Sequence, residues 1–155
     1  MAKVNPIPTG YEAATPYLIC KDAARALEFY RDAFRAVEAM RMPMPDGKIG
    51  HAEFRIGGAL VMLADEFPDM GALGPQTIGG SPVTIHIYVE DVDAVCDRAV
   101  KAGAKVLQPL QDQFYGDRSF KMADPFGHLW MFASRKEDLS AEEMQKRSAA
   151  LFGTK

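Results

Sequence analysis

The chain has 155 residues, of which 48% are apolar and 25% are charged, so it is long enough for one folded domain or for two small units that share a core. The formal net charge is -3 and no run of Lys or Arg is present, a composition that excludes the charge pattern typical of proteins that bind nucleic acid or anionic membranes. No segment approaches the roughly 20 apolar residues of a membrane span, and residues 1–10 have no apolar signal core. We therefore expect a cytoplasmic globular protein with neither nucleic acid nor a membrane as partner.

Two strand-and-helix segments open the two halves of the chain. Residues 15–30 read as an apolar strand, then Asp22, which is suited to cap a helix N-terminus, then apolar residues at helical spacing. Residues 84–99 repeat this order, with Asp91 as the capping residue and Gly103 where the helix should end. The offset between the two aspartates is 91 − 22 = 69. The repetition predicts a duplicated strand–helix unit.

The same offset of 69 aligns a second pair of segments further along the chain. ALVMLADE (59–66) lies over HLWMFASR (128–135), and the two share the pattern L-x-M-x-A. Each follows a turn that ends in glycine, RIGG (55–58) and DPFG (124–127), as expected for the second strand of a hairpin. Two matches at one offset predict that each half contains a strand, a helix and three further strands.

These matches divide the chain into four predicted segments. Residues 15–66 form the first βαβββ unit, and residues 83–135 form the second. Between them, residues 67–82 are rich in Gly and Pro and exceed the usual connection of about 4–6 residues, which is typical of a linker or of a mobile lid. Residues 136–155 are predicted to be a C-terminal helix and tail, because Ser140 begins a capping-box sequence.

The two cysteines of the chain are predicted to be structural. Cys20 lies in a predicted strand and Cys96 in a predicted helix. Burial as reduced thiols is the favoured interpretation at such positions, ahead of a disulfide or a nucleophilic role.

Three segments of the chain resemble one known family. The segment YGDRSFKMADPFGHLW (115–130) is the most specific, and IGHAEFRIGG (49–58) and SRKEDLSAEEMQKR (134–147) are similar to the same family. Together with the paired βαβββ units and the Asp-capped first helix, they resemble the PhnB-like branch of the glyoxalase, bleomycin-resistance and extradiol-dioxygenase superfamily. This group is also called the vicinal oxygen chelate superfamily. The resemblance covers about residues 14–150.

The resemblance implies an α+β fold of tandem βαβββ units. In this superfamily each unit contributes a curved mixed sheet, and two sheets face each other and enclose a cavity, often with exchange of units between subunits. Members include lactoylglutathione lyase, ring-cleaving dioxygenases, fosfomycin-modifying enzymes, epimerases and metal-free drug-sequestering proteins. We therefore expect a homodimer with a cavity for an unidentified small organic ligand or substrate. The chemistry has to be decided from the residues, because one fold serves all these functions.

The metal ligands of the superfamily have no counterpart at the matching positions. Metal-dependent members take a His from the first strand and a Glu from the last strand of each unit. The resemblance places Thr15 and Thr84 at the first-strand positions and Met62 and Met131 at the last-strand positions. Thioethers select soft metals, and a lone hydroxyl is a weak ligand. We therefore expect neither a metal at this quartet nor another cofactor.

Strand alternation predicts which side chains line the cavity. If DPFG is a tight hairpin loop, Phe120 lies opposite Met131, and the offset of 69 then places His51 opposite Met62. Glu53 shares that face, so His51 and Glu53 are the candidate catalytic acid and base. The predicted ligand-binding residues of the two units are Tyr17, Met62, His86, Tyr88, Arg118, Phe120 and Met131.

The candidate histidines each have a second interpretation. His51 and Glu53 are also consistent with a surface pair on a half-exposed sheet. His86 lies in an otherwise apolar strand, so a hydrogen-bonded histidine of the core is an alternative to a ligand-binding one. A shift of two residues along the first strands would place His86 at a metal-ligand position, with Tyr17 as its counterpart in the first unit.

The residues of the second hairpin also allow alternatives. Arg118 would clamp an anionic group of a ligand or would pair with Asp112 or Asp117. His128 and Trp130 have the opposite parity to Met131, so we expect them to pack behind the sheet against a helix.

The residues leave three functions open. The favoured one is a small-molecule binding protein of the bleomycin-resistance type, which needs no metal. The alternative is an enzyme, either a lyase or isomerase with His51 and Glu53 as acid and base, or a dioxygenase-type metal enzyme with displaced ligands at His51, Glu53 and His86. The third is a dimeric scaffold with a vestigial pocket.

Overall fold

The computed structural model describes residues 4–153, which form two compact units divided between Gly80 and Ser81. We call them unit 1 and unit 2, and each has its own mixed four-stranded sheet. Their element order confirms the predicted α+β class with tandem βαβββ units. The elements are β1 (Tyr17–Cys20), α1 (Ala23–Phe34), β2 (Val37–Pro43), β3 (Ile49–Ile56), β4 (Ala59–Asp65), α2 (Pro75–Ile78), β5 (Thr84–Tyr88), α3 (Val92–Ala102), β6 (Lys105–Asp112), β7 (Asp117–Ala123), β8 (Leu129–Arg135) and α4 (Ala141–Phe152).

The sheet of unit 1 is covered by a helix on one face. Its strand order is β1-β4-β3-β2, with β1 parallel to β4 and the other neighbours antiparallel. Tyr30 of α1 stacks on Phe54 of β3, with ring centroids 4.8 Å apart. Because side chains alternate along a strand, Glu53 and Arg55 on either side of Phe54 point to the opposite face. We call that face, which α1 does not cover, open face 1.

The sheet of unit 2 repeats this arrangement. Its strand order is β5-β8-β7-β6, again with the first strand parallel to the last. Helix α3 lies on the face that carries Arg118 and Ser134, since Asp93 of α3 accepts hydrogen bonds from Arg118 and the N–H of Val92 donates to Ser134 Oγ at 3.1 Å. The other face of this sheet is open face 2.

Apolar packing between helix and sheet forms the core of each unit. On the helix side of the second sheet, Phe132 stacks between Phe120 and Trp130, with ring centroids 5.9 and 6.2 Å apart. All three rings are buried, and each such burial contributes about 2–3 kcal/mol of stability. Cys20 and Cys96 are buried in the two cores and are not joined in a disulfide.

Side-chain caps fix the ends of the helices where the sequence predicts them. Asp22 and Asp91 each accept a hydrogen bond from the backbone N–H three residues further on, at 3.1 and 3.0 Å. Helix α3 ends at Gly103 with φ of 108°, a left-handed conformation that glycine adopts without strain. Ser140 caps α4 in the same way as the aspartates. Among the described helices, none combines the length and the apolar character needed to cross a membrane.

The connection between the units is ordered along part of its length. It contains a 3-10 turn at Pro68–Met70 and the short helix α2, and the N–H of Gly74 donates to Glu66 Oε1 at 2.7 Å. A Cβ at position 74 would lie 2.7 Å from the carbonyl oxygen of Ile19, so the segment packs closely on β1 at a residue that must be glycine. The choice between a linker and a mobile lid stays a prediction.

The two hairpins differ by one loop residue. In unit 1, Ile56 pairs directly with Ala59 around a turn formed by residues 57–58. In unit 2, Asp124 and His128 close the loop around residues 125–127, with a 2.9 Å bond from the N–H of Asp124 to the carbonyl of His128. The Asp124 carboxylate stabilises the longer loop, because it accepts bonds from the backbone N–H of His128 and from Trp130 Nε1, at 3.0 and 2.9 Å.

The predicted register misses this extra residue, so it is wrong by one position in the second hairpin and, through the offset of 69, by two positions in the first. Met131 pairs with Lys121 and not with Phe120, and Met62 pairs with Glu53 and not with His51. The repeat offset is 131 − 62 = 69 after the loop and 121 − 53 = 68 before it. The predicted face of the sheet is therefore wrong for the residues of β7 and correct for those of β3.

Candidate functional site

Polar side chains on open face 1 form a continuous hydrogen-bonded chain. Tyr11, which precedes β1, donates its hydroxyl to Glu53 Oε2 at 2.5 Å. Glu53 Oε1 lies 3.1 Å from His51 Nε2, and His51 Nδ1 lies 2.8 Å from the Tyr17 hydroxyl. We call Tyr11, Glu53, His51 and Tyr17 the polar chain. It links the segment before the sheet to strands β3 and β1.

Local strand geometry brings these groups together. His51 and Glu53 are two residues apart on β3, so both project from the same face. Because Glu53 is buried, the two are not the surface pair on a half-exposed sheet that the sequence allowed as an alternative. Tyr17 stands on β1, which is separated from β3 by β4. The two strand spacings amount to about 10 Å, which a tyrosine and a histidine side chain reaching toward each other can bridge.

The polar chain has a buried end and an exposed end. Glu53 is only 5% exposed, whereas Tyr17 is 50% exposed. The hydrogen bond from Tyr11 lowers the pKa of Glu53, with a smaller contribution in the same direction from His51, although burial opposes both. The same bond raises the pKa of Tyr11. Glu53 is therefore an ionised carboxylate at neutral pH, held in place by a neutral phenol.

The ionised carboxylate determines where the protons of the polar chain lie. Because Glu53 is only an acceptor, His51 Nε2 carries the hydrogen of their bond. With a neutral imidazole, Nδ1 is then the acceptor and the Tyr17 hydroxyl donates to it, whereas with a protonated imidazole Nδ1–H donates to the Tyr17 oxygen. Burial raises the pKa of Tyr17, with a further contribution from the charge of Glu53, so the phenol keeps its proton. The Tyr17 hydroxyl is thus the exposed terminus of the polar chain.

Open face 2 carries a related phenol–carboxylate pair. Tyr88 donates its hydroxyl to Asp117 Oδ2 at 2.5 Å, and Asp117 is only 4% exposed. This bond raises the pKa of Tyr88. His86 stands beside Tyr88 with ring centroids 4.9 Å apart, and it pairs across the sheet with Met131. His86 and Tyr88 therefore lie on the open face, as strand alternation predicts, and ligand binding by them stays a prediction.

The equivalent positions of the two units carry different chemistry. With the offset of 68, 119 − 51 = 68, so Ser119 occupies the place of His51, and Lys121 occupies that of Glu53. Ser119 is fully buried, and its hydroxyl has no hydrogen-bond partner within the part of the chain that is described. At these equivalent positions, the imidazole–carboxylate pair of unit 1 is therefore replaced in unit 2 by a hydroxyl and an ammonium group.

Arg118 is not on an open face. Its guanidinium is bound by Asp93 of α3 at 2.9 Å and by Asp112 of β6 at 3.1 Å. The aspartate-pairing interpretation is therefore correct for Asp112, and the predicted place of Arg118 beside a ligand is wrong, because the one-residue shift of β7 turns this side chain toward the helix.

Phe120 is displaced by the same shift. It is 1% exposed and packs on Phe132 in the core of unit 2. Its predicted position beneath a ligand is therefore wrong. Trp130 packs behind the sheet as expected, and His128 is buried at the adjoining loop.

The residues present do not fit the superfamily metal. In both parallel strand pairs the partner of the methionine is a ring residue, with Tyr17 opposite Met62 and His86 opposite Met131. Tyr17 and His86 each lie two residues after the threonine that the resemblance places at the metal-ligand position, so the first strands have the alternative register shifted by two residues. Two thioethers, a phenol and one imidazole are not a donor set for a hard or borderline divalent ion. In the described range 4–153, no three His, Cys, Asp or Glu side chains are grouped as a metal site requires.

Sequence reasoning missed three residues beside the candidate site. Tyr11 lies before the predicted first unit, and no periodicity marks it as a partner of Glu53. Arg55 on open face 1 follows from strand alternation alone, because the face of β3 was predicted correctly. Lys121 on open face 2 could be found only with the observed register of the second hairpin.

Comparisons with known proteins agree with this architecture. The family model of the Glyoxalase/Bleomycin resistance protein/Dioxygenase superfamily matches residues 12–132. The chain therefore belongs to this superfamily.

Relatives extend over most of the chain. An uncharacterized protein of Mycobacterium bovis is 48% identical over 136 residues, which are 86% of this chain and 90% of that protein. The crystal structure of TioX from Micromonospora sp. ML1 has a TM-score of 0.63 and 30% identity, and the match covers 79% of this chain and 99% of that one. The fosfomycin resistance protein FosX from Listeria monocytogenes, solved with Mn(II) and sulfate, has a TM-score of 0.62 over 88% of this chain and 96% of its own. At 20% identity this last likeness shows the fold alone.

Proposed function

We propose that the protein binds a small planar organic molecule on open face 1, without the superfamily metal. The observation that carries the proposal is the polar chain, in which a buried ionised carboxylate fixes an imidazole and presents the Tyr17 hydroxyl beside the apolar side chain of Met62. An apolar surface with a few oriented polar groups is the usual composition of a small-molecule site.

The proposal also covers the family branch, the oligomeric state and the cellular location. The three sequence segments that resemble the PhnB-like branch support placing the chain there. A homodimer is supported by the edge strand β2, all of which is exposed. A cytoplasmic location fits the two buried cysteines, which are not joined in a disulfide.

Calorimetry with 1-naphthamide, a neutral planar probe, tests the binding proposal. We expect saturable binding to the wild type, and Tyr17→Ala should weaken it roughly tenfold through lost stacking and one lost hydrogen bond. Tyr115→Ala removes an aromatic ring from the loop between β6 and β7 and should leave the affinity unchanged. Absence of saturable binding at millimolar probe, or equal losses in both variants, contradicts the proposal.

A proton-transfer enzyme of the lyase or isomerase class is the second candidate. The observation that favours it is the 3.1 Å contact between His51 Nε2 and an ionised Glu53, since a carboxylate that orients an imidazole is the usual partner of a general base. His51→Ala separates the two functions. A binding protein should lose about 1 kcal/mol of affinity, whereas an enzyme should lose turnover with little change in affinity.

A further inference from the structure

Open face 1 carries a guanidinium that the polar chain does not use. Arg55 follows Glu53 on the same face of β3, and it is half-buried. Among residues 4–153, no hydrogen bond and no ion pair engages its side chain. A guanidinium has five N–H donors in a planar fork, so a half-buried one that makes no hydrogen bond keeps its donors for an anion.

The segment before β1 restrains this guanidinium. Gly10 adopts φ of 89°, and a Cβ built there would lie 2.8 Å from Arg55 Nη2. Only glycine therefore allows the backbone to approach the guanidinium so closely. The next residue, Tyr11, fixes the segment through its bond to Glu53. Arg55 is consequently restrained on one side by backbone and remains available on the other.

Two carboxylates, Glu53 and Glu12, act on Arg55 through their charge, and within residues 4–153 neither forms a hydrogen bond or an ion pair with it. Glu12 Oε1 instead accepts a hydrogen bond from the N–H of Gly10 at 3.0 Å. Both oxygens of Glu53 are engaged within the polar chain. A ligand carboxylate would accept two parallel bonds from the fork, which is the geometry that Arg favours over Lys.

The position of Arg55 relative to Tyr17 sets the size of the ligand. Tyr17, Met62 and Glu53 lie in one row across the sheet. Arg55 is two residues further along β3, which is about 7 Å. A ring of naphthalene size that rests on Met62 and Tyr17 therefore brings an attached acid group to Arg55.

We propose that Arg55 binds the carboxylate of an aromatic acid whose ring occupies open face 1. This inference rests on the proposed function and goes beyond it by naming the charge class of the ligand. The acid interacts with the guanidinium, and the ring interacts with Met62 and Tyr17.

Paired calorimetric titrations with 1-naphthoate and 1-naphthamide test the inference, because the two probes differ in charge and share their shape. Wild type should bind the acid roughly tenfold more tightly than the amide, as a charge-assisted bidentate contact predicts. Arg55→Met should remove this preference, because it weakens naphthoate binding far more than naphthamide binding. Arg31→Met deletes the same charge from an exposed position on α1 and should keep the preference.

Two further variants show whether the preference for naphthoate depends on the position of the Arg55 guanidinium or on its charge alone. Arg55→Lys keeps the charge without the fork and should retain only part of the preference. Gly10→Ala keeps Arg55, displaces its guanidinium, and should weaken naphthoate binding more than naphthamide binding. Equal affinities of the two probes for the wild type would overturn this inference while leaving the binding proposal intact. A preference that survives Arg55→Met would overturn it as well, whereas loss of binding of both probes would contradict both proposals.

Discussion

Glu53 shows how a single residue links stability to the site. It is a buried carboxylate whose folded-state pKa lies below its usual value, chiefly because Tyr11 donates a hydrogen bond to it. A depressed pKa means that the ionised form stabilises the folded state above the unfolded-state pKa of about 4.3. This contribution is lost as the pH falls through the folded-state value. Glu53 therefore fixes the site and makes part of the stability dependent on pH.

Glu53→Gln should lower the free energy of unfolding by about 1–2 kcal/mol at pH 7, because the charge-assisted bonds to Tyr11 and His51 are weakened. The difference from wild type should shrink as the pH falls below the unfolded-state value of about 4.3 and through the lower folded-state pKa of Glu53, where the native carboxylate becomes protonated. Urea denaturation at a series of pH values measures it. Glu38→Gln on the exposed edge strand is the matched control, and it should change stability by less than about 0.5 kcal/mol. A pH-independent difference for Glu53→Gln would contradict the assignment.

Phe120 separates a core role from a ligand role. Because it is buried against Phe132, Phe120→Ala should destabilise the protein by about 3–5 kcal/mol through lost burial and a cavity. At a temperature where the variant remains folded, its affinity for 1-naphthamide should equal that of wild type. Thermal unfolding and calorimetry check the two parts. A stable variant with weakened binding would contradict the core role and favour the ligand-facing position of Phe120 that was predicted from the sequence.

At the scale of elements, the sequence predicts those helices, caps and strands that are determined by residues close together in the chain. Both first helices, their aspartate caps, the glycine end of α3 and the paired strand–helix openings follow from spacing and composition. The hairpin register did not follow, because one loop residue decides it and the contact between the Asp124 carboxylate and the Trp130 ring, six residues along the chain, forms only in the folded hairpin. A shift of one residue reverses every side chain of a strand, so Arg118 and Phe120 were placed on the wrong face together.

Asp124 should therefore be the critical residue of the second hairpin. Asp124→Ala leaves the backbone N–H groups of Phe126 and His128 and the indole of Trp130 without their acceptor, which should cost about 3 kcal/mol. Asp46→Ala is the matched control, because Asp46 accepts one bond, from the N–H of Lys48, in an exposed turn. It should cost less than about 0.5 kcal/mol. Chemical denaturation of the two variants checks the difference, and equal effects would contradict the role of Asp124 in setting the loop.

At the scale of the whole molecule, the proposed homodimer has a direct test. Strand β2 is an exposed sheet edge, and Val37 and Met42 on it are 68% and 55% exposed. Such an edge favours association unless it is covered. We expect sedimentation equilibrium at micromolar concentration to give twice the chain mass. Val37→Lys should shift the protein toward monomer, whereas Val100→Lys on the exposed side of α3 should not. A monomeric wild type would contradict the expectation.

The central claim, that a small organic molecule binds on open face 1, is tested most directly by NMR of the imidazoles. The chain has only 3 histidines, His51 in the polar chain, His86 on open face 2 and His128 buried beside the second hairpin loop, so their ring signals can be assigned by single substitutions. On titration with 1-naphthamide, we predict saturable shifts of the His51 signals, because a ring that rests on Met62 and Tyr17 contacts the Tyr17 hydroxyl, which is hydrogen-bonded to His51 Nδ1. The His128 signals should stay unchanged. Shifts confined to His128, or His51 signals that stay constant while calorimetry records binding, would contradict the account.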